Sequence, residues 1–390
     1  MRDVYLIGIG QTEVNKNAGI RGRYLAKSAI NQALDHAGID KTDVSLLVVG
    51  NMLSGMLAKQ QQQGALIADE IGLRGIEAAT IESGCSSGAS AARFGFMSIA
   101  GGMHEAAIVC GVERMTHAPK DDITAALATA ADWELEGIQN ESFISLNARI
   151  MKAYMEEYKV KAEDFAHFSI NAHKNGLNNH YAFLKKAVDM DTYMSSKMLT
   201  DPIRLFDAPP VCDGAAAIIL ASKDIALAAE RQGLPMIKIT ASSIGTDSLA
   251  IDKRKDKLEL TGAKLSAERA YQQAGLGPDD IDIFELHDAY TIITALSLEA
   301  AGFAKRGEGV HYGKDGEIAI DGSLPISTMG GLKSRGHPVG ATGVYQMVEC
   351  YEQLTGLAAA NQVWDAEVAM TQNIGGTGAT VVTHILERAA

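Results

Sequence analysis

Two rhythms of apolar residues alternate along the first third of the chain. Short runs dense in Val, Ile, Leu and Ala fall near residues 3–9, 44–50, 77–82 and 105–111 and read as strands. Between them, at 22–37, 60–71 and 86–101, apolar positions recur with helical spacing. This alternation predicts an α/β layered domain. The segment SSGASAARFGFMSIAG at 86–101 is rich in small residues and almost uncharged, which predicts a helix buried between layers. From about 115 to 200 the texture becomes helical, charged and Met-rich with no clear strand, the pattern of an inserted subdomain. Strand texture returns with VCDGAAAIILAS at 211–222, and a fresh start follows with PMIKITASSIG at 235–245.

The fresh start is a second copy. HAGIDKTDVSLLVVG at 36–50 matches QAGLGPDDIDIFELH at 273–287, each a helix end, a glycine cap, an acidic turn and a strand. GCSSGAS at 84–90 matches GHPVGAT at 336–342, and EAAIV at 105–109 matches EVAMT at 367–371. Three pairs in the same order indicate an internal duplication. In it, Cys85 and His337 occupy one position of the repeated unit.

Composition narrows the class. With 390 residues, 47% hydrophobic and 21% charged, the chain has the balance of a globular protein large enough for more than one domain. No apolar run approaches the roughly 20 residues that span a bilayer, and MRDVYLIGIGQTE at the start reads as a first strand rather than a signal peptide. A cytoplasmic location is the expectation. The formal charge of −13 with no basic block argues against nucleic acid as a partner. An anionic substrate then needs local positive contacts, for which the lysines and arginines between about 150 and 205 are candidates. Four cysteines without a CxxC pair or zinc-type spacing suggest neither disulfides nor a structural metal, which leaves room for a working thiol.

Cys85 and His337 each follow a strand and precede a Gly/Ala-rich helix. A thiol at a helix N-terminus feels the positive end of the macrodipole, which favours thiolate, and free backbone N–H groups there suit a developing oxyanion. Pseudo-twofold packing of the halves would set Cys85 and His337 face to face, as nucleophile and base. HDAYT at 287–291 ends the matched strand of the second half, where His287 is a candidate donor to a carbonyl oxygen. QNIGGTGAT at 372–380 is a glycine-rich loop whose backbone is placed to close over the same centre. Gly8-Ile9-Gly10 after the first strand lacks the third glycine of a dinucleotide fingerprint, since Glu13 stands there.

Taken together, GCSSG, GVERMT (111–116), CDGAAA (212–217), HDAYT, GGLKSRGHPVGATG (330–343) and NIGGTGA (373–379) resemble the thiolase superfamily, most closely its sterol-carrier-protein-type and archaeal acetoacetyl-CoA members. The resemblance covers essentially the whole chain. It implies a five-layered αβαβα fold from two duplicated halves: 1–118 with 200–234, and 235–390, with 119–199 as an inserted helical loop domain covering CoA. It further implies a homodimer or homotetramer, no tightly bound cofactor, and CoA and acyl-CoA as substrates. By the same resemblance Cys85 carries the acyl group, His337 takes its proton, His287 holds one carbonyl oxygen, and the backbone N–H groups of Cys85 and Gly375 hold the other. The net reaction would cleave or form a 3-oxoacyl-CoA, acetoacetyl-CoA or a bulkier or aromatic one.

One departure stands out. Other thiolases place a second cysteine as acid/base at the position of Asn373, or within the histidine motif at the position of Ala289. An amide does not shuttle protons at neutral pH, so His287, His337, Tyr290, Tyr345 or a water would have to act there. The gap keeps two alternatives open: a retro-aldol acyl-CoA lyase, and a thiolase subunit active only with a small OB-fold and zinc-ribbon partner, a module absent from this chain.

Overall fold

The computed structural model describes residues 1–230, 233 and 235–389. Among the described residues eleven strands are formed: β1 (Val4–Gln11), β2 (Leu46–Gly50), β3 (Glu77–Ile81), β4 (Ala106–Glu113), β5 (Met198–Thr200), β6 (Ile203–Arg204), β7 (Gly214–Ser222), β8 (Ile237–Thr246), β9 (Ile283–Glu285), β10 (Val368–Gly375) and β11 (Thr380–Arg388). Nine of them run in the order β3-β2-β4-β7-β1-β8-β11-β10-β9. The duplication is legible in the ladder. In the first half β1–β7 and β7–β4 are antiparallel, and β4–β2 and β2–β3 are parallel. In the second, β8–β11 and β11–β10 are antiparallel, β10–β9 is parallel, and Phe284 of β9 makes a parallel bridge to Ile326 where a fifth strand would lie. The halves join at a short antiparallel seam, Tyr5 with Lys238 and Leu6 with Ile237.

Strand alternation produces the layers, because successive side chains point to opposite faces. Tyr5 and Ile7 of β1 pack outward with Leu25, Ala29 and Ile30 of the helix Gly22–Ala37. Val4 and Leu6 pack inward with Ile99 of the helix Ser87–Ala100 and Val348 of the helix Thr342–Leu354. On the far side, Ala241, Val381 and Ile385 pack with Ala263 and Ala267 of the helix Thr261–Ala274. Outer helices, half-sheet, two central helices, half-sheet and outer helices make the expected five-layered αβαβα arrangement. Both copied helix ends are capped by a left-handed glycine, Gly38 (φ 64°) and Gly275 (φ 74°). The glycines of β1 serve packing rather than a nucleotide: a Cβ on Gly10 would meet the Ala33 backbone nitrogen at 2.6 Å.

Three local expectations differ. The glycine-rich loop expected at 372–380 is shorter, because residues 372–375 pair with β11 as the end of β10 and β11 begins at Thr380. The helix expected at 60–71 begins only at Gln63, because Gln62 takes a left-handed conformation (φ 53°); Ser54–Leu57 forms a separate turn of helix before it. Within the helical stretch after β4, which holds Lys120–Ala128, Phe143–Tyr158, Ala166–Gly176 and Met190–Ser195, a strand does form at its end, where β5 pairs with β6. A hairpin this short carries no periodicity for a sequence pattern to register.

Candidate active site

The two central helices cross through glycines. A Cβ on Gly88 would lie 2.9 Å from the carbonyl oxygen of Gly340, and one on Gly343 would overlap the Ala89 backbone nitrogen. Small residues therefore allow the helix N-termini to meet near the centre of the molecule. Cys85 precedes one of them, after Gly84 at φ +62°; His337 precedes the other, after Gly336 at φ +113°. A Cβ at Gly336 would sit 2.6 Å from Val14 Cγ1, so this turn requires glycine both for its φ and for its space.

The side chains of Cys85, His287 and His337 converge, each offering an atom within 4.8 Å of the others, and all three are buried. The two imidazoles meet edge to face at 5.0 Å between centroids. His337 Nδ1 is 2.6 Å from Thr342 Oγ1, and the Thr342 hydroxyl reaches the Pro338 carbonyl at 3.4 Å. If the hydroxyl donates to Pro338, it accepts from Nδ1–H, leaving His337 Nε2 a bare acceptor. Asn373 Nδ2 lies 2.9 Å from His287 Nδ1. With the amide donating to Nδ1, the His287 proton resides on Nε2, which makes that atom a hydrogen-bond donor. These two contacts suit complementary tautomers, with His337 Nε2 as acceptor and His287 Nε2 as donor.

Burial sets the charge states. It pushes the Cys85 thiol up to about 12, with the negative charges of Glu113 and then Glu82 adding to the effect and the residue's own backbone N–H opposing it. The expected thiolate preference of the helix N-terminus is overridden by desolvation, because a lone anion in an apolar wall loses more hydration than a helix end restores. Leu53, Met115, Ile123, Ala126 and Val339 build that wall. Burial likewise lowers His287 to about 3 and His337 well below its usual value. Thiol and imidazoles are therefore neutral together at neutral pH.

Gly375 closes the other side of the Cys85 turn. A Cβ there would fall 2.7 Å from Ser86 Oγ, and a Cβ on Gly84 would lie 3.5 Å from Gly375 Cα. Tyr290, at the head of the helix Thr291–Ala300, is buried and close enough to Cys85 for a charge on the sulfur to raise its phenol; among the described residues its hydroxyl has no hydrogen-bond partner. Tyr345 is engaged elsewhere: its hydroxyl donates to the Thr12 carbonyl at 2.8 Å and its ring lies under the Arg335 guanidinium. Of the basic residues considered for an anionic substrate, Arg149 is held 2.8 Å from Asp252.

Several buried acids that the sequence pattern did not single out turn out to be anchors. Glu113 ends the otherwise apolar β4 and accepts from the N–H groups of Met52, Leu53 and Gly340 and from Asn51 Nδ2, tying the turn before the second central helix to the first half. Asp213 accepts from Met115 and Thr116. Asp288 accepts from Leu332 N–H and pairs with the buried Lys333, and Arg335 is 2.9 Å from Glu349. A single acid closing an apolar strand was the available signal for Glu113.

Known proteins agree with this architecture. Residues 4–224 match the family model for the thiolase N-terminal domain, and 243–388 match the one for the thiolase C-terminal domain-like family. The chain belongs to the thiolase family. It is 40% identical over 389 residues to an acetyl-CoA acetyltransferase of Methanothermobacter thermautotrophicus, covering 100% of both chains. It is 31% identical to human sterol carrier protein 2, where the match takes in 98% of this chain and 72% of that protein. Among solved structures, the Ltp2-ChsH2(DUF35) aldolase superposes with a TM-score of 0.84 at 22% identity, covering 99% of this chain and 98% of the other. The acetyl-CoA acetyltransferase of Syntrophomonas wolfei gives 0.76 at 18%, covering all of both chains. At these identities the structures speak for the thiolase fold. The family and the acetyltransferase relatives make this thiolase an acyltransferase.

Proposed function

We propose that this thiolase moves an acyl group between CoA and the α-carbon of an acyl-CoA, by way of a thioester on Cys85. The observation that carries the reading is the convergence of Cys85, His287 and His337, with Thr342 and Asn373 placed to set one imidazole as acceptor and the other as donor. In the thiolytic direction Cys85 Sγ attacks the 3-oxo carbonyl as His337 Nε2 removes the thiol proton. Charge on that oxygen is received by the backbone N–H groups of Cys85 and Gly375. The carbon–carbon bond breaks, His287 Nε2–H steadies the enolate oxygen of the departing acyl-CoA, and its carbon takes a proton. CoA then displaces the acyl group from Cys85 as a new acyl-CoA, giving up its thiol proton to restore the enzyme. Acetoacetyl-CoA is the substrate proposed first, following the acetyltransferase relatives.

Tyr290 is proposed to supply the carbon-bound proton, since its buried phenol is near enough for a charge on Cys85 to raise it, and Asn373 and Ala289 leave no second thiol. Tyr290→Phe is expected to lower 3-oxoacyl-CoA cleavage by about 10²-fold while Cys85 still takes up an acetyl group from acetyl-CoA at its normal rate; equal losses in both steps would remove Tyr290 from the proton path. The same tyrosine favours a second reading, retro-aldol cleavage of a 3-hydroxyacyl-CoA, which would proceed without free CoA.

The remaining assignments belong with this reading. Residues 119–199 are assigned to covering the CoA. A homodimer or homotetramer is supported by β3, an edge strand with exposed positions, and by the nearby exposed Phe94 and Met97. A small OB-fold and zinc-ribbon partner that helps hold CoA, and a cytoplasmic location, complete the proposal.

The test is intact-mass spectrometry after brief mixing with acetyl-CoA or acetoacetyl-CoA. An acetyl adduct mapping to Cys85, and missing in Cys85→Ala, is expected. An adduct that persists in Cys85→Ala, or turnover without free CoA, would sink the acyl-enzyme reading.

A further inference from the structure

We propose that Cys85, His287 and His337 also form a reversible Zn²⁺ site, so that free zinc competes with acyl-CoA for this thiolase. The sequence hides such a set, because its three ligands come from three distant segments and only the crossing of the central helices assembles them. Sulfur and two imidazole nitrogens are the donors that favour Zn²⁺ over Mg²⁺ or Ca²⁺. Their mutual approach within 4.8 Å is close to what a tetrahedral ion needs. Bonds of about 2.0–2.3 Å set ligand atoms roughly 3.3–3.7 Å apart, a closure that small side-chain rotations provide.

The surroundings suit a metal as well as catalysis. Histidine ligands are usually oriented by a hydrogen bond at the other ring nitrogen. Here Thr342 holds Nδ1 of His337 and Asn373 holds Nδ1 of His287, leaving both Nε2 atoms for the ion. Asn373 Oδ1 is buried without a hydrogen-bond partner among the described residues. When His287 Nε2 binds zinc its proton moves to Nδ1, and rotation of the Asn373 amide would bring that unpartnered oxygen round to accept it. The balance is simple: the Cys85 thiol loses one proton to solvent, a sulfur–zinc bond and two nitrogen–zinc bonds form, and no electron moves. The fourth coordination position would be taken by water.

Titration of the full chain with Zn²⁺, and with Co²⁺ as its visible counterpart, tests the site without any turnover, so its outcome is independent of the acyl-enzyme reading. One equivalent is expected to bind, to give a thiolate-to-cobalt absorption band, to shield Cys85 from iodoacetamide and to be removed by a chelator. Thr342→Val, which leaves the ligands in place, is expected to weaken binding about 10–100-fold. The near-isosteric Cys85→Ser is expected to lose the band, and His287→Ala to weaken binding beyond the Thr342 variant, with circular dichroism confirming that each is folded. Unchanged stoichiometry and affinity in folded Cys85→Ser and His287→Ala, or a cobalt complex without a thiolate band, would overturn the proposal.

Discussion

His337→Ala is expected to lower acyl transfer at pH 7 by about 10⁴-fold or more, and then to regain roughly tenfold for each pH unit up to pH 9. Both parts follow from the buried thiol. With its pKa pushed up to about 12, only about one Cys85 in 10⁵ is ionised at pH 7. Attack therefore depends on a base that removes the proton as the carbon–sulfur bond forms. Without His337 the rate follows the thiolate fraction, which grows tenfold per unit while the pH stays well below 12. The intact enzyme should show no such slope, because its imidazole is already a neutral base across this range. Cys85→Ala should be inactive at every pH. Initial rates of acetoacetyl-CoA cleavage from pH 6 to 9 for the three proteins check this. A His337→Ala profile that is flat would mean that the thiol is already ionised, and a small loss would mean that another group is the base.

The depressed histidines also set an acid limit to stability. His287 is lowered from 6.5 to about 3 in the folded chain. Between those values the unfolded chain binds a proton that the folded chain refuses. Its contribution is fully present above pH 6.5 and declines as the pH falls toward 3.

Gly343→Ala is expected to destabilise the fold by about 3 kcal/mol and to lower turnover about 10²-fold in the protein that remains folded. Alanine normally improves a helix over glycine by about 1 kcal/mol, so the expected sign is the reverse of the helix preference. The reason is local: the new Cβ would overlap the Ala89 backbone nitrogen and stand 2.5 Å from Asn373 Oδ1. Backbone of the opposite helix cannot rotate away as a flexible side chain can. The helices must separate, which moves His337 away from Cys85 and disturbs the Asn373 contact to His287. Gly22→Ala is the control, since its Cβ would meet only Val112 Cγ2 at 3.7 Å. Urea unfolding and cleavage kinetics of both variants decide the matter. If Gly343→Ala matches Gly22→Ala in stability and rate, the glycine crossing does not set the site.

Much of this was written in the chain itself. Dense apolar runs and helical spacing are local properties, so strands such as β1 and β4 and the helices Gly22–Ala37 and Ser87–Ala100 were legible from the residues within them. The duplication was legible too, because each half must bury the same faces and so repeats the same glycine caps, acidic turns and small-residue helix. From that repeat alone Cys85 and His337 fell on equivalent positions and His287 at the end of the matched strand, and the family resemblance added Gly375 and Asn373. Other features depended on residues far apart in sequence. Which tautomer each histidine takes depends on Thr342 and Asn373, and Tyr290 differs from Tyr345 in lying near Cys85 rather than being hydrogen-bonded to the Thr12 carbonyl under Arg335. The charge of Cys85 was the clearest case: the helix N-terminus, visible in sequence, argued for thiolate, while the apolar wall of Leu53, Met115, Ile123 and Val339, assembled from separate segments, holds the proton on the sulfur. Desolvation belongs to the whole environment of an atom, and that environment exists only once the chain has folded.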